Sequence, residues 1–545
     1  MTPSRRVRSS AASCVAILAL VAFAGRSDAQ VSQLVQGTAV ASGFSLDPLA
    51  RSPSLIGMGQ LSLVGSDPHY RITLWDFGGN PTGAGVAEST STIDLRPDAV
   101  GASDVQDFID SSGRIRQSYA AHGGDLGYEM WRRQGRLTYG AIGNLGTLQT
   151  DQPYSDDVEH RANLKVPSVT PIITGVMPFT HSGRTRYSLD VRWSEQSLES
   201  RYLGIVQNAA GDFISLDSDE RKPPNVFVPE SFDVRHVGGG GAVSHVVAPW
   251  LTVAGGYDGV GVRINGENPD KRNISQTHEL RPYNIGQATL IGRIGRDIEW
   301  GVDGRGWKST SETSWNFTIS AGQGAIPLSG RGKLLERHEE GTTMRSRAVW
   351  HAGSFDIGAG WNTNYNKVDV TAPALDDHTS FNYFMNTVFN RGTADSLALA
   401  DSVSTGSTAL HGWEAGGGLA WRLPSQRGTV GVEYHKDRLL EQSLSAGLGP
   451  RRVGWDVRMG ADLVCTPAIR ARVGYQYRWD DEDDYTKQNE YLSNVVTGGV
   501  GVSPKRSMWR FDLSYAIRWL HADYGDPSYP HGSRQQLRSQ IHWAF

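Results

Sequence analysis

The chain has 545 residues, a formal net charge of −4, 38% hydrophobic residues, 64 glycines and 16 tryptophans. So small a charge offers no basic surface for nucleic acid. After Gln30 no stretch approaches the 18 or so apolar residues of a membrane-spanning helix. Low hydrophobic content with abundant Gly, Trp and Tyr suits extended segments whose every second residue faces water and whose aromatics belt an interface.

Residues 1–29 read as a secretory signal peptide: Arg5, Arg6 and Arg8 precede the apolar run Val15–Ala24, and Ser27-Asp28-Ala29 offers small residues for cleavage. Cys14 lies in that leader, so Cys465 is the one cysteine of the mature chain, with no disulfide and no thiolate metal site. Residues 30–112 form an N-terminal segment without strand hairpins. It carries Ser, Asp, Gly and Pro at short intervals and two apolar patches, Leu55–Val64 and Ile72–Phe77.

From 113 to 545 the pattern has period two. Arg114–Ala121 and Asp125–Arg132 are the first two candidate strands. Tyr187, Leu189, Val191 and Trp193 alternate with Arg186, Ser188, Asp190 and Arg192. Phe355, Ile357, Ala359 and Trp361 alternate with Asp356, Gly358, Gly360 and Asn362. The same holds for Val453–Cys465 and Ile469–Trp479. In the segment from Trp509 to Trp519 the apolar face is Trp509, Phe511, Leu513, Tyr515, Ile517 and Trp519. Short turns fall near 181–184, 248–250, 295–297, 352–354, 425–428, 466–467 and 503–507. Between them stand longer polar stretches at 148–168, 199–233, 264–281, 307–341, 371–409, 437–452, 480–491 and 525–532. Strict short–long alternation is the habit of a membrane barrel with tight periplasmic turns and long external loops; a sandwich has no reason to keep it. The count is about 16 strands from Arg136 onward and 18 with the two earlier candidates.

The apolar faces then meet lipid, and the charged faces line a lumen. The lumen-lining set is Arg186, Asp190, Arg192, Glu299, Asp303, Arg305, Arg345, Arg347, Asp456, Arg458, Asp462, Arg470, Arg472, Arg478, Arg510, Asp512 and Arg518. These residues either set ion selectivity or pair across strands; around the turn at Thr466-Pro467, Asp462 should reach Arg470 or Arg472. A ring of this size needs a channel or a plug, because its wall side chains alone do not fill it. The segment 30–112 is expected to fill that lumen or to lie at its periplasmic mouth. Four glycines at Gly238–Gly241 are expected where a plug or loop approaches the wall. The aromatic set Phe381, Tyr383, Phe384, Met385 and Phe389 within 371–409 is expected to fold inward or to touch a partner. The acidic run Asp480–Asp484 lacks calcium-loop spacing, and no nucleophile, metal or phosphate-loop motif stands out. The expectation is therefore a non-enzyme with no cofactor and no metal site.

The last residues sharpen the assignment. Leu537, Ser539, Ile541, Trp543 and Phe545 lie on one face of a terminal strand, opposite Arg538, Gln540, His542 and Ala544. This tail resembles the closing strand of Gram-negative outer-membrane β-barrels, in which a terminal Phe with apolar residues at alternate positions (here Ile541, Trp543 and Phe545) is the assembly signal. The resemblance implies an all-β, transmembrane, antiparallel up-and-down barrel of about 16–18 strands in the cell outer membrane. It also implies outer-membrane lipid, lipopolysaccharide and the barrel-assembly machinery as partners. Asn80-Pro81 is in addition similar to the Asn-Pro-Ala motif of the long-chain fatty-acid transporter family, which threads an N-terminal hatch into a smaller barrel and passes hydrophobic substrates. The function expected is a channel or transporter for small polar or amphipathic solutes. The alternatives are a closed structural or surface-binding barrel acting through its external loops and, behind it, a barrel hydrolase.

Overall fold

Alternating sequences of this kind form strands, and a strand with one greasy and one charged face must put each against its own solvent. The computed structural model describes residues 56–64, 92–110, 113–155, 158–176, 184–207, 213–215, 231–268, 274–319, 328–372, 404–443, 447–484, 487–504, 508–523 and 531–544. The strands are β1 (Thr92–Asp110), β2 (Gly113–Gln134), β3 (Leu137–Ser155), β4 (Val158–Val176), β5 (Thr185–Gln207), β6 (Phe213–Ser215), β7 (Ser231–Ala248), β8 (Leu251–Asn268), β9 (Ile274–Ile294) and β10 (Ile298–Ile319). They continue as β11 (Leu328–Ala352), β12 (Phe355–Ala372), β13 (Ser404–Arg422), β14 (Gly428–Ser443), β15 (Gly447–Thr466), β16 (Ile469–Asp484), β17 (Lys487–Val502), β18 (Trp509–Asp523) and β19 (His531–Ala544).

Each long strand pairs antiparallel with the next in sequence, and β5 pairs directly with β7. The short β6 pairs only with the far end of β5. β19 returns to β1, with Ala544 opposite Thr92 and His531 opposite Val105. Setting β6 aside, the nineteen described strands give an eighteen-stranded ring in which every strand has two neighbours. Closure removes the unpaired edges that an open sheet would expose. The short turns gather at one end together with Thr92 and Ala544. Glycines at positive φ, Gly295 (φ 65°) and Gly353 (φ 62°), allow two of these tight reversals.

Exposure runs opposite to that of a water-soluble protein. On β5, Leu189 and Val191 are 58% and 62% exposed, whereas Asp190 and Arg192 between them are 5% and 7% exposed. On β18, Trp509, Tyr515 and Trp519 are exposed while Asp512 and Ser514 are buried, and Phe511, Leu513 and Ile517 share the outward face at intermediate exposure. Ile541 and Trp543 also face outward. An outer wall of exposed Leu, Val, Ile and Trp has lipid as its natural solvent, so the ring is a transmembrane barrel. No described helix is long and apolar enough to cross a membrane.

Several expectations need correction. The ring does contain sixteen long strands after Arg136, but the first two differ from those read in the sequence. Arg114–Ala121 and Asp125–Arg132 are one strand, β2, and residues 92–110, assigned above to the N-terminal segment, are β1. Pro97 obscures β1: its ring removes a ladder donor, and the pairing to β19 is interrupted between Leu95 and Asp98. The polar stretches are also not mainly loops. β10 and β11 run for 22 and 25 residues, far more than the roughly 9–11 that cross a bilayer. Most of 307–341 is therefore strand, as are most of 148–168, 437–452 and 480–491. Beyond the lipid both faces are wet, so backbone pairing continues after the apolar alternation has stopped. The signal peptide, Asn80-Pro81, the aromatic set at 381–389 and Phe545 lie outside the described residues.

Candidate functional site

Inside the ring, residues 56–64 lie against the inner faces of β11 to β18. The wall there is shaped for a backbone. Ala420, Gly431, Gly460, Gly474 and Thr497 are successive cross-strand partners on β13, β14, β15, β16 and β17. A side chain on Gly460 would strike the Met58 carbonyl, and one on Gly474 would strike Gly59. Gly358 and Gly418 similarly make room for Leu63 and Val64. This row of small residues is a groove cut across five strands.

Polar groups fix the segment in the groove. Glu433, on the inward face of β14 and 1% exposed, accepts hydrogen bonds from the backbone N–H of Ser62 (2.8 Å), Leu63 (2.6 Å) and Val64 (2.7 Å) and from the Ser62 hydroxyl (3.2 Å). Three consecutive amides on one carboxylate form an anion nest whose anion comes from the wall. His435 stands on the same face, with Nε2 3.0 Å from Glu433 and Nδ1 3.5 Å from Glu414. Arg347 donates to the Leu63 carbonyl at 2.6 Å, and Arg458 to the Gln60 carbonyl at 3.2 Å. The Thr497 hydroxyl accepts from Gly59 N–H at 3.0 Å and donates to the Gly57 carbonyl at 3.1 Å. Gly59 and Gln60, both at positive φ, turn the chain at this point. Apolar contacts complete the seat: Ile56 with Val495 and Ala516, and Leu63 and Val64 with Ala420.

The sequence-selected lumen residues divide into two groups. Arg347 and Arg458 hold the segment. The others for which partners are seen pair with one another or with further polar residues of the wall. On the β5–β11 wall, Arg192 bridges Asp190 (2.6 Å) and Asp258 (2.9 Å). Asp303 there receives Arg345 (3.2 Å), Arg305 (3.5 Å) and the Thr289 hydroxyl. On β15–β18, Asp462 takes Arg470 (2.5 Å) and Arg472 (3.6 Å), and Asp512 takes Arg472 (2.6 Å) and Arg510 (2.5 Å). Arg478 gathers Asp437, Asp456 and Asp480, so the first member of the acidic run is tied to the wall. Asp456 also pairs with Arg458 at 2.6 Å. Arg518 donates to Ser493, Arg186 is half-buried, and Glu299 sits exposed at the turn end with Arg293 (2.7 Å). Within the glycine run 238–241, Gly240 serves these ion pairs: it stands opposite Asp258, whose carboxylate fills the space a side chain at 240 would need.

Sequence reasoning overlooked Glu433, His435, Glu414, Thr497 and Asp258. The signal for the first two was present. On β14, Gly431, Glu433, His435 and Asp437 alternate with Val430, Val432 and Tyr434, the same inward-charged pattern as on the strands that were selected.

No family model and no curated protein matches the chain. Among solved structures it is similar to the Ralstonia pickettii toluene transporter TbuX (11% identity, TM-score 0.33, 92% of this chain and 100% of that one). It is similar also to a Pseudomonas aeruginosa FadL homologue (12%, 0.33, 91% and 98%) and to the ferric citrate transporter FecA in unliganded form (10%, 0.40, 82% and 78%). Identities and TM-scores this low identify no shared site, and the fold rests on its own strand pairings.

Proposed function

We propose that this chain is an outer-membrane channel or transporter for small polar or amphipathic solutes, with residues 56–64 as an inner element seated on one side of its lumen. The observation that carries this reading is the eighteen-strand ring itself. Such a ring is wider than its side chains can fill, its inner face is charged, and the contacts of 56–64 fall on β11 to β18, leaving the β5–β10 wall to pair its own charges. Paired charges on both walls favour passage of uncharged or zwitterionic solutes over strong ion selectivity.

The second reading is a closed barrel whose function lies at its external rim. The capture of all three backbone amides of residues 62–64 by Glu433 favours it. Conductance separates the two. The channel reading expects stable steps in planar bilayers, larger after deletion of residues 30–91 ahead of β1. A folded barrel that stays silent with and without those residues leaves the closed reading standing.

A further inference from the structure

The outer wall carries one charge arrangement that the lumen does not explain. Lys436 and Arg438 lie on the outward face of β14 and are exposed. Counted from Gly428 at the turn end, they stand eight and ten residues along the strand, close to the roughly 9–11 residues that bring a tilted strand to the far interface. Aromatics mark the same level. Trp455, opposite Lys436, lies 5.4 Å from Tyr477 and 6.4 Å from both Trp479 and Tyr434. Trp413 is opposite Arg438.

Three other outward cations have a carboxylate beside them. Arg235 pairs with Glu195 at 3.0 Å, Lys367 pairs with Asp369 at 2.7 Å, and Lys308 stands opposite Glu340. The cross-strand partners of Lys436 are Ala415 and Trp455, and those of Arg438 are Trp413 and Val453. Tyr434 and Leu440 flank the two along the same face of β14. Neither cation makes an ion pair among the described residues. Two unneutralised cations on a lipid-facing wall call for an anion from the membrane. Their spacing, two residues or about 7 Å along a strand, lets one phosphate sit between them with its sugar against Trp455.

We propose that Lys436 and Arg438, framed by Trp413 and Trp455, bind the phosphate of an outer-leaflet glycolipid, lipopolysaccharide. The proposal rests on the outer-membrane reading above. In the test, full-length protein extracted from outer membranes in mild detergent is analysed by native mass spectrometry. It is then titrated with purified lipopolysaccharide, with its dephosphorylated form and with inorganic phosphate. The wild type should retain and rebind the phosphorylated glycolipid. Lys436→Glu/Arg438→Glu should bind it at least tenfold more weakly, and Lys436→Arg/Arg438→Lys should keep it. Lys436→Gln/Arg438→Gln provides a milder loss, and the heat-dependent gel shift of a folded barrel certifies each variant. Equal uptake by folded wild-type and charge-reversed protein overturns the proposal, as does equal affinity for the dephosphorylated glycolipid or displacement by millimolar inorganic phosphate. None of those outcomes touches the channel reading. A chain that fractionates with the soluble periplasm overturns that parent reading instead.

Discussion

The two walls of the lumen meet the same requirement in different ways. Along β5 to β11 the buried charges pair with one another: Arg192 lies between two aspartates, and Asp303 takes up two arginines. Along β13 to β17 a row of small residues opens a groove among the ion pairs, and the carboxylate of Glu433 and the hydroxyl of Thr497 there bond a distant piece of the same chain. The first wall pairs its charges without the segment. The second is complete only with it. Removing residues 56–64 would leave Glu433 with His435 and an empty groove, and an unpaired buried charge is costly.

The sharpest way to break this contrast is Glu433→Ala. Each hydrogen bond to a carboxylate is worth about 1.5–3 kcal/mol, so losing the equivalent of two shifts docking by about a thousand-fold. Amide exchange at residues 62–64 and proteolysis near residue 60 should rise by that order, with the barrel still folded; unchanged protection would show that the carboxylate is dispensable. Next come Gly460→Leu and Gly474→Val, which fill the groove while leaving Glu433 in place. They too should expel the segment, and retained protection would remove the steric argument. Third, Asp303→Ala takes away the carboxylate shared by Arg305 and Arg345, at a cost of about 3–5 kcal/mol. It should lower the temperature at which the folded gel form is lost without altering exchange at 62–64. A change in both would mean that the walls are coupled. Last, Arg235→Ala breaks an outward, exposed pair with Glu195 and should move that temperature hardly at all, by an energy of about 0–1 kcal/mol.

How much of this was legible differs by region. Where strands cross lipid, every second residue must be apolar, so Leu189, Val191 and Trp193 announced their face and Asp190 and Arg192 theirs. The cross-strand approach of Asp462 to Arg470 followed from one tight turn. β1 was hidden by Pro97, although Ile93, Leu95 and Ala99 alternate with Asp94, Arg96 and Asp98. The external strand extensions were hidden because hydrogen bonding between backbones carries no side-chain signature once both faces are wet. The row Ala420, Gly431, Gly460, Gly474 and Thr497 was invisible for a different reason: each member lies on a separate strand, and only register aligns them.

The sequence by itself determined the ring's two solvents, its strand rhythm and the end at which its turns are tight, because these follow from a period of two and from local turn chemistry. The tertiary structure alone decided which inward charges pair, that Gly240 yields space to Asp258, and that residues 56–64 rest on Glu433. Those contacts join positions up to several hundred residues apart, and their geometry is set by the stagger of neighbouring strands, which no local pattern encodes.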